Sequence, residues 1–268
     1  MESSPHAGYP PDGTVFRDRV IEVLLITFLL LEVWFLYAPL GTLIAQRGVN
    51  KAPMLMTALD HAIPYVPEPV FAYRMAFVVV PIALTYFIVA WFRDDPQFRS
   101  MALAYFLILV LAFVIYWMFP VSILTHRTRP PGTDGAGLAN EWVRATYATL
   151  SPWNSFPSMH IATGWFAVRG IWMLQKSPKV RLPVAIWFAL MAVGTVTLFL
   201  HSLLDGLAGL ALSEGCIRGC LARRDRISAW VDSIPTRTRL ALLALGNGAL
   251  VVLLWMALQR GLFERVKG

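Results

Sequence analysis

The sequence has few charged residues and few cysteines. Only 15% of its 268 residues are charged and only two are cysteines, whereas roughly a quarter of an average soluble domain is charged. Cys216 and Cys220 stand one helical turn apart without a second pair, so we expect them to pack between helices and not to bind a metal. These shortages argue against an ordinary globular domain and against a cysteine-bound metal.

Apolar residues are abundant instead, and they are grouped in runs. They make up 57% of the chain, and a helix of about 20 apolar residues crosses the roughly 30 Å hydrocarbon core of a bilayer. The first run exceeds the apolar core of a signal peptide, so we interpret it as a retained helix. The sequence therefore predicts an all-α integral membrane protein with seven candidate spans, the sixth of them short: 23–45, 72–92, 101–121, 158–175, 183–200, 202–217 and 238–258.

Basic residues outnumber acidic ones by 23 to 16, and most of them lie in the loops between the apolar runs. With a cytoplasmic N-terminus, the inner loops hold 13 Lys and Arg residues and the outer loops hold five. This bias follows the positive-inside rule and predicts an outer C-terminus, although three basic residues on the C-terminal tail weigh against a seventh crossing. Topology thus explains the net charge of +7, and we predict no nucleic-acid partner.

The segment FPSMH, at 156–160, opens the fourth apolar run. Proline is favoured in the first turn of a helix, where the free N–H groups and the helix dipole form a natural anion site. Ser158 can add a hydroxyl donor to a phosphate at this place, and His160 can protonate a departing alkoxide. The alternative is a plain helix cap followed by an interfacial histidine.

The segment HSLLD, at 201–205, lies between the fifth and sixth runs. On one helix the four-residue spacing places His201 and Asp205 on the same face, where Asp205 accepts a hydrogen bond from one imidazole nitrogen. The other nitrogen is then available as a nucleophile or general base. An aspartate in an apolar run is costly, so we expect it to have a function, with a purely structural pair as the alternative. Gly206 and Gly209 would permit close packing of the sixth span.

The segment HRTRPPG, at 126–132, lies in a loop of about 35 residues and supplies Arg127 and Arg129. A guanidinium group binds phosphate through two parallel N–H donors and stays charged. Solvated loop charge is the alternative, and for Arg127 it is the favoured one. Under the predicted topology all three segments emerge on the same outer face, where they can form one pocket.

Taken in order, Arg-Pro at 129–130, Pro-Ser-x-His at 157–160 and His-x3-Asp at 201–205 resemble the signatures of the type-2 phosphatidic acid phosphatase superfamily, K-x6-RP, PSGH and SR-x5-H-x3-D. The resemblance covers about residues 120–213. It implies a six-helix membrane bundle, here with an added C-terminal seventh helix, and it implies no metal and no cofactor. Ser122 replaces the signature lysine, and Gly194 and Thr195 replace the Ser-Arg pair.

For the site, the resemblance implies that His201 attacks phosphorus to form a phosphohistidine, that Asp205 orients His201, and that His160 protonates the leaving group. Arg129 and Ser158 would hold the phosphate oxygens, and Arg127 or His126 would compensate for the missing cations. The amino-acid sequence around the two histidines resembles that of the inositol phosphotransferase branch of the superfamily.

We therefore expect an integral membrane phosphatase or phosphotransferase that acts on a lipid phosphate, with its active site on the non-cytoplasmic face of the bilayer. One alternative is an inositol-phosphate-type headgroup transferase with a second lipid as acceptor. Another is a catalytically impaired lipid-binding scaffold, because two phosphate-binding cations are missing. The sequence leaves the oligomeric state open.

The predicted organisation has three parts. Residues 1–19 form a mobile N-terminal tail, residues 20–221 form the transmembrane catalytic domain, and residues 222–268 form a cytoplasmic basic loop and the C-terminal helix. Within the long loop, residues 140–150 have the pattern of an amphipathic helix on the membrane surface. Two charges inside the apolar runs, Glu32 and Arg169, are predicted to pair with each other.

Overall fold

The computed structural model describes residues 13–47, 55–91, 95–122, 134–149 and 153–263. Within these ranges the chain forms helices joined by turns and loops, and no strand. The helices are α1 (Gly13–Phe35), α2 (Tyr37–Gln46), α3 (Ala58–Ala62), α4 (Val70–Trp91), α5 (Asp95–Met118), α6 (Leu138–Thr149), α7 (Met159–Leu174), α8 (Pro178–Thr197), α9 (Leu203–Leu221), α10 (Arg224–Ser233) and α11 (Thr236–Gln259).

Each predicted apolar run coincides with helix in the structure. Helices α7 and α9 are the least suited to crossing a membrane alone, because α7 has only 16 residues and α9 contains Asp205, Glu214 and Arg218. The prediction of an all-α multi-pass membrane protein is confirmed. Four helical stretches in the described part of the chain are long and apolar enough to cross: Phe16–Gln46, Pro96–Met118, Pro178–Thr197 and Thr236–Gln259.

The first of these stretches is interrupted at Leu36, between α1 and α2. Pro39 lies in the first turn of α2, and a proline has no N–H to donate to the carbonyl four residues earlier, here that of Phe35. The break therefore follows from the position of one proline within an otherwise continuous apolar run.

The centre of the bundle is built on α5 and α7. The side chains of Tyr105, Ile108, Leu109 and Tyr116 lie along α5 and are almost fully buried. Helix α7 is buried on most of its surface, from Met159 through Ile171. A helix that is apolar on all sides and lies inside a bundle gains from burial everywhere along its length, so these two helices fix the frame on which the others pack.

The C-terminal helix α11 packs along α1. The Asn247 side chain donates to the carbonyl of Leu25 at 3.1 Å. Nearer the start of both helices, Arg239 of α11 donates to the carboxylate of Glu22 of α1 at 3.1 Å. Residue numbers rise together along the contact, so the two helices run in the same direction. This is the arrangement expected of a first and a seventh crossing.

An ion cluster ties this C-terminal part to the bundle. Arg99 on α5 binds Asp232 on α10 at 2.7 Å and lies 3.7 Å from Glu22 on α1. Arg239 on α11 binds the other oxygen of Glu22. We name Glu22, Arg99, Asp232 and Arg239 the basal cluster. It joins four helices at the end of α9 where Leu221 lies.

The predicted pair of Glu32 and Arg169 is wrong. Arg169 instead donates to Glu214 on α9 at 3.0 Å, and the same carboxylate accepts from Trp165 at 2.7 Å and from Arg218 at 2.6 Å. Helices α7 and α9 lie directly against each other, so Glu214 reaches Arg169 across their contact. Adding up depths along the sequence could not reveal which helices are neighbours.

Two of the predicted regions can be compared with the structure in part. Residues 13–19, assigned to the N-terminal tail, form the first turns of α1, and residues 1–12 lie outside the described residues. The predicted amphipathic segment at 140–150 falls on α6, where Val143 is buried and Trp142 is 41% exposed. The division of the chain into three domains stays a prediction.

Candidate active site

The expectation that Pro157 lies in the first turn of α7 is wrong, because α7 begins at Met159 and its N-cap is Ser158. The backbone of Ser158 is extended and its Oγ accepts a hydrogen bond from the N–H of Ile161 at 3.5 Å. Its own N–H donates to the carbonyl of Asp205 at 2.9 Å. This backbone bond joins the start of α7 to the first turn of α9, so the two histidine segments meet directly.

His201 lies before α9 and not on it. Helix α8 ends at Thr197, a turn follows, and α9 begins at Leu203 with Ser202 as its N-cap. The N–H groups of Leu200 and His201 both donate to the carbonyl of Thr195, which folds the turn back on the end of α8. The expectation that His201 and Asp205 share one helix face is therefore wrong in its geometry.

A capping box brings His201 and Asp205 together instead. Asp205 is the third residue of α9; its Oδ2 accepts the Ser202 N–H at 2.9 Å, and its N–H donates to the Ser202 Oγ at 3.2 Å. The same Oδ2 lies 3.6 Å from Nδ1 of His201. That separation allows an ion pair with a charged imidazole but is too long for a hydrogen bond.

The hydrogen bond that orients His201 comes from a backbone carbonyl. Nδ1 of His201 lies 3.0 Å from the carbonyl oxygen of Ser155, and because a carbonyl can only accept, Nδ1 must carry the proton. The lone pair of the neutral ring is then on Nε2. The prediction that Asp205 accepts this hydrogen bond is wrong, because the Ser155 carbonyl lies 3.0 Å from Nδ1 and the Asp205 carboxylate lies 3.6 Å away. The role of His201 as a nucleophile stays a prediction.

His160 occupies the first turn of α7, next to His201. The centroids of the two imidazole rings are 6.1 Å apart, with an interplanar angle of 57°. One phosphoryl group can therefore contact both rings. His160 is held from the other side by Tyr73 of α4, whose hydroxyl lies 3.2 Å from Nδ1 and whose ring stacks on the imidazole at 4.3 Å.

The site is buried within the helix bundle. His160 and His201 are 9% and 6% exposed, and Asp205 is fully buried. Oδ1 of Asp205 is buried and has no hydrogen-bond partner within the ranges that the structure describes. A buried carboxylate oxygen without a donor is costly, so this atom lowers the stability of the fold.

Close packing of α9 against the start of α7 depends on Gly209. A Cβ at this position would lie 2.4 Å from the carbonyl oxygen of Ser158, which no side chain can tolerate without displacing the backbone. Gly206 differs, because a Cβ there would meet only the Ile161 side chain at 3.9 Å. The prediction of close packing is confirmed for Gly209, and the space at Gly206 does not require glycine.

The segment 57–69, which lies between α2 and α4 in the chain, supports the turn that carries His201. Asp60 is 2% exposed; its Oδ2 accepts from Thr57, and its Oδ1 accepts from the N–H of Leu203 at 2.7 Å. Burial raises the pKa of Asp60, but the hydrogen bonds from Thr57 and Leu203 outweigh it and hold that pKa below its ordinary value. Asp60 thus stabilises the first residue of α9 as a charged acceptor.

Further contacts from the same segment reach the turn. The Val66 N–H donates to the Thr197 carbonyl at 3.3 Å, and the rings of Tyr65 and Phe199 stack at 6.1 Å. The backbone of Pro69 passes so near α8 that a Cβ at Gly194 would lie 3.1 Å from its carbonyl oxygen. The His201 turn is therefore enclosed by α7, α8, α9 and the segment 57–69.

Three basic residues predicted for the site, Arg127, Arg129 and His126, lie outside the described residues. Among the described residues no group of three or more His, Cys, Asp and Glu side chains has the arrangement of a metal site. The described part of the site thus consists of two histidines, one carboxylate, one hydroxyl at the α7 N-terminus and the tyrosine beside His160.

Comparison with protein families decides the membership of this chain. A model of the PAP2 superfamily matches residues 44–217, which is well over half of the sequence. The chain belongs to the PAP2 superfamily. The matched region includes α3 to α8 and most of α9, and thus every described residue of the site. Comparisons with curated proteins and with solved structures gave no match.

Membership of the PAP2 superfamily supports a phosphatase-like activity on lipid phosphates in general. The structure also accounts for the positions at which this member departs from the signatures. Ser122 is buried, Gly194 makes room for Pro69, and Thr195 is 1% exposed, with its hydroxyl bound to the Ala192 carbonyl. These positions serve packing in this chain and carry no cationic group.

Sequence reasoning missed three groups that shape the site: Tyr73, Asp60 and the carbonyl of Ser155. Tyr73 lies at the start of an apolar run and has no flanking motif. Asp60 could have been found, because Thr57 and Asp60 have the spacing of a capping box. The carbonyl of Ser155 carries no sequence signal at all.

Proposed function

We propose that this protein is a metal-independent lipid phosphate phosphatase or phosphotransferase with His201 as its nucleophile. The observation that carries the proposal is the orientation of the two imidazole rings. His201 donates from Nδ1 to the Ser155 carbonyl, which leaves the Nε2 lone pair for attack, and the His160 ring is 6.1 Å away. A nucleophile and a proton donor are thus available to one phosphate ester.

In the first step Nε2 of His201 attacks phosphorus, and the bond between phosphorus and the lipid alkoxide oxygen breaks. The departing oxygen takes a proton from His160. In the second step water attacks the phosphohistidine and gives a proton back to His160, and the electron pair of the P–N bond returns to His201. Asp205 stabilises the positive charge that His201 carries while it is bound to phosphorus, from 3.6 Å.

Phosphate binding is assigned to the N-terminus of α7 and to the long outer loop. Ser158 already caps Ile161 through its oxygen lone pair, so its hydroxyl hydrogen remains able to donate to a phosphate oxygen. Arg129, with Arg127 beside it, is proposed to supply the cationic charge that positions 122, 194 and 195 lack. Such a charge would neutralise the equatorial oxygens of the transition state.

The substrate is proposed to be amphiphilic and to enter from the non-cytoplasmic face. The site lies at the opposite end of α9 from the basal cluster and from the exposed arginines of α10. The positive-inside rule places that basic end in the cytoplasm. A lipid can then keep its tail in the bilayer while its phosphate reaches the interface, which explains why the site sits at the end of membrane-length helices.

Water and a second lipid alcohol are both chemically competent acceptors of the phosphoryl group. Phosphate release from lipid phosphates by the purified protein in detergent, with a chelator present, tests the hydrolytic reaction. We expect wild type to release phosphate and His201→Ala to be inactive. His61→Ala, which removes an exposed histidine of α3, is the matched control and should retain activity.

Each outcome of this assay supports one of the candidate functions or rejects the proposed nucleophile. Product that forms only with a second lipid alcohol, without free phosphate, would establish the headgroup transferase. Binding of lipid phosphate without turnover under either condition would establish the scaffold. Full activity of His201→Ala would remove the proposed nucleophile altogether.

A further inference from the structure

Tyr73 makes two contacts with His160, one through its hydroxyl and one through its ring. Its hydroxyl oxygen lies 3.2 Å from Nδ1 of His160, and the two rings stack with centroids 4.3 Å apart and planes 26° apart. Tyr73 itself is fully buried in α4, among the apolar side chains that include Val70 and Ala76. A buried tyrosine needs a polar partner for its hydroxyl, and His160 supplies one.

We propose that Tyr73 is the positioning residue of the general acid: it fixes which nitrogen of His160 transfers the proton. This inference rests on the proposed function, in which His160 protonates the leaving group. In the charged imidazolium, Nδ1–H donates to the Tyr73 oxygen and the proton to be transferred is on Nε2. After transfer, the neutral ring keeps Nδ1–H and its bond to Tyr73, so no second proton has to move.

The stacked ring adds a steric restraint to this polar one. Rotation of His160 about its side-chain bonds would break the hydrogen bond and also the ring contact at 4.3 Å. An acid must meet the leaving oxygen at hydrogen-bond distance in the transition state. Tyr73 therefore contributes to the rate through the placement of His160 and has no contact of its own with the reacting bond.

Each of the two imidazole rings is held at Nδ1 by one polar group, but the chemical type of that group differs. His201 is held at Nδ1 by a carbonyl, which can only accept, whereas His160 is held at Nδ1 by a hydroxyl. Among the described residues, Tyr73 from α4 contacts His160 and His201 of the turn lies beside it, with Asp205 behind His201 at 3.6 Å. Loss of the Tyr73 hydroxyl would leave the Nδ1–H of a charged His160 buried without this acceptor, which disfavours the acid form.

The test compares Tyr73→Phe with wild type on two substrates. An alkyl phosphate has a leaving group that needs protonation, and para-nitrophenyl phosphate has one that does not. We compare kcat/KM, which reports only the steps up to formation of the phosphoenzyme, because His160 also serves as the base when water attacks the phosphoenzyme. We expect kcat/KM for the alkyl phosphate to fall about tenfold and kcat/KM for the aryl phosphate to stay within about twofold. The ratio of the two rates is independent of the folded fraction of the preparation.

Tyr105→Phe is the matched control. Tyr105 is an equally buried tyrosine of α5 that packs on Phe166 at 5.0 Å, and its substitution should leave the rate ratio unchanged. In the double variant Tyr73→Phe with His160→Ala, we expect no loss beyond that of His160→Ala, because Tyr73 acts only through His160.

The outcomes separate this proposal from the one on which it rests. Equal loss on both substrates, or a further loss in the double variant, would show that Tyr73 is only a packing residue. If His160→Ala and His201→Ala both keep full activity on the alkyl phosphate, the proposed function itself fails. Loss in those two variants with an unchanged Tyr73→Phe overturns the Tyr73 proposal alone.

Discussion

At the scale of single residues, Asp205 combines two roles that are usually given to different side chains. One oxygen closes the capping box with the N–H of Ser202 and lies 3.6 Å from His201, while the other is buried without a hydrogen-bond partner in the described part of the chain. Local structure needs only an acceptor at this position. The proposed mechanism assigns the charge to the stabilisation of His201, and substitution can separate the two roles.

Asp205→Asn keeps an acceptor for the Ser202 N–H but removes the charge. Because Asn also has a side-chain oxygen that can accept from the Ser202 N–H, we expect the melting temperature to change by only about 2 °C or less and kcat to fall by about tenfold to a hundredfold. Asp205→Ala should lose the same activity and in addition about 1 kcal/mol of stability from the lost hydrogen bond to the Ser202 N–H. Thermal unfolding and phosphate release on the same preparations measure both effects, and an Asp205→Asn protein with wild-type kcat would show that the charge is not used.

At the scale of secondary-structure elements, the lengths of the apolar runs were sufficient to predict where helices lie, including the run that becomes α11. They were insufficient for the site, because a spacing of four residues fits one helix face and also fits a histidine that precedes a helix whose third residue is the aspartate. His201 and Asp205 adopt the second arrangement, in which Asp205 forms a capping box with Ser202. Tyr73 could not be predicted for a different reason: its partner His160 is 87 positions away in sequence, and only the packing of α4 on α7 brings the two together.

The contact between α7 and α9 gives a prediction at the same scale. Gly209→Ala would place a Cβ 2.4 Å from the Ser158 carbonyl, so the start of α9 must move away from α7. We expect a loss of about 1–3 kcal/mol in unfolding free energy. We also expect a fall in activity larger than the folded fraction explains, because His160 lies in the first turn of α7 and His201 directly precedes the N-cap of α9.

Gly215→Ala on the same helix is the control for this change. A Cβ at Gly215 has open space around it, and alanine is a better helix former than glycine by roughly 1 kcal/mol. We expect this variant to be as active as wild type and slightly more stable. Equal behaviour of Gly209→Ala and Gly215→Ala in thermal unfolding and in activity would contradict the close contact at Gly209.

At the scale of the whole molecule, the two ends of the bundle have different chemistry. The histidine site occupies one end, where α7 and α9 begin, and the basal cluster occupies the end where α9 gives way to α10. Arg99 and Glu22 are both at most 8% exposed, so the basal cluster is a buried ionic contact between the C-terminal part and the rest of the bundle. This arrangement separates the catalytic end from the end that fastens α11.

Arg99→Leu removes one member of the basal cluster and leaves Glu22 without its partner on α5. Glu22 keeps Arg239 as a partner at 3.1 Å, so the cost should lie below the roughly 3–5 kcal/mol of leaving a buried charge unpaired. We expect a measurable fall in melting temperature and an unchanged kcat per folded molecule. Arg224→Leu removes an ion pair whose side chains are 55% and 85% exposed and should cost little. A reduced kcat in Arg99→Leu at full folding would mean that the two ends are coupled.

The proposed mechanism requires that His201 carries the phosphoryl group in the covalent intermediate. His160→Ala treated with para-nitrophenyl phosphate tests it most directly, because the acidic leaving group departs unaided while hydrolysis of the phosphoenzyme lacks its base. After rapid quenching at alkaline pH and proteolysis, mass spectrometry should find the phosphoryl group on the peptide that contains His201. It should be absent from the His160→Ala, His201→Ala double variant. A phosphoryl group on another residue, or its persistence in the double variant, would contradict the assignment of the phosphoryl group to His201.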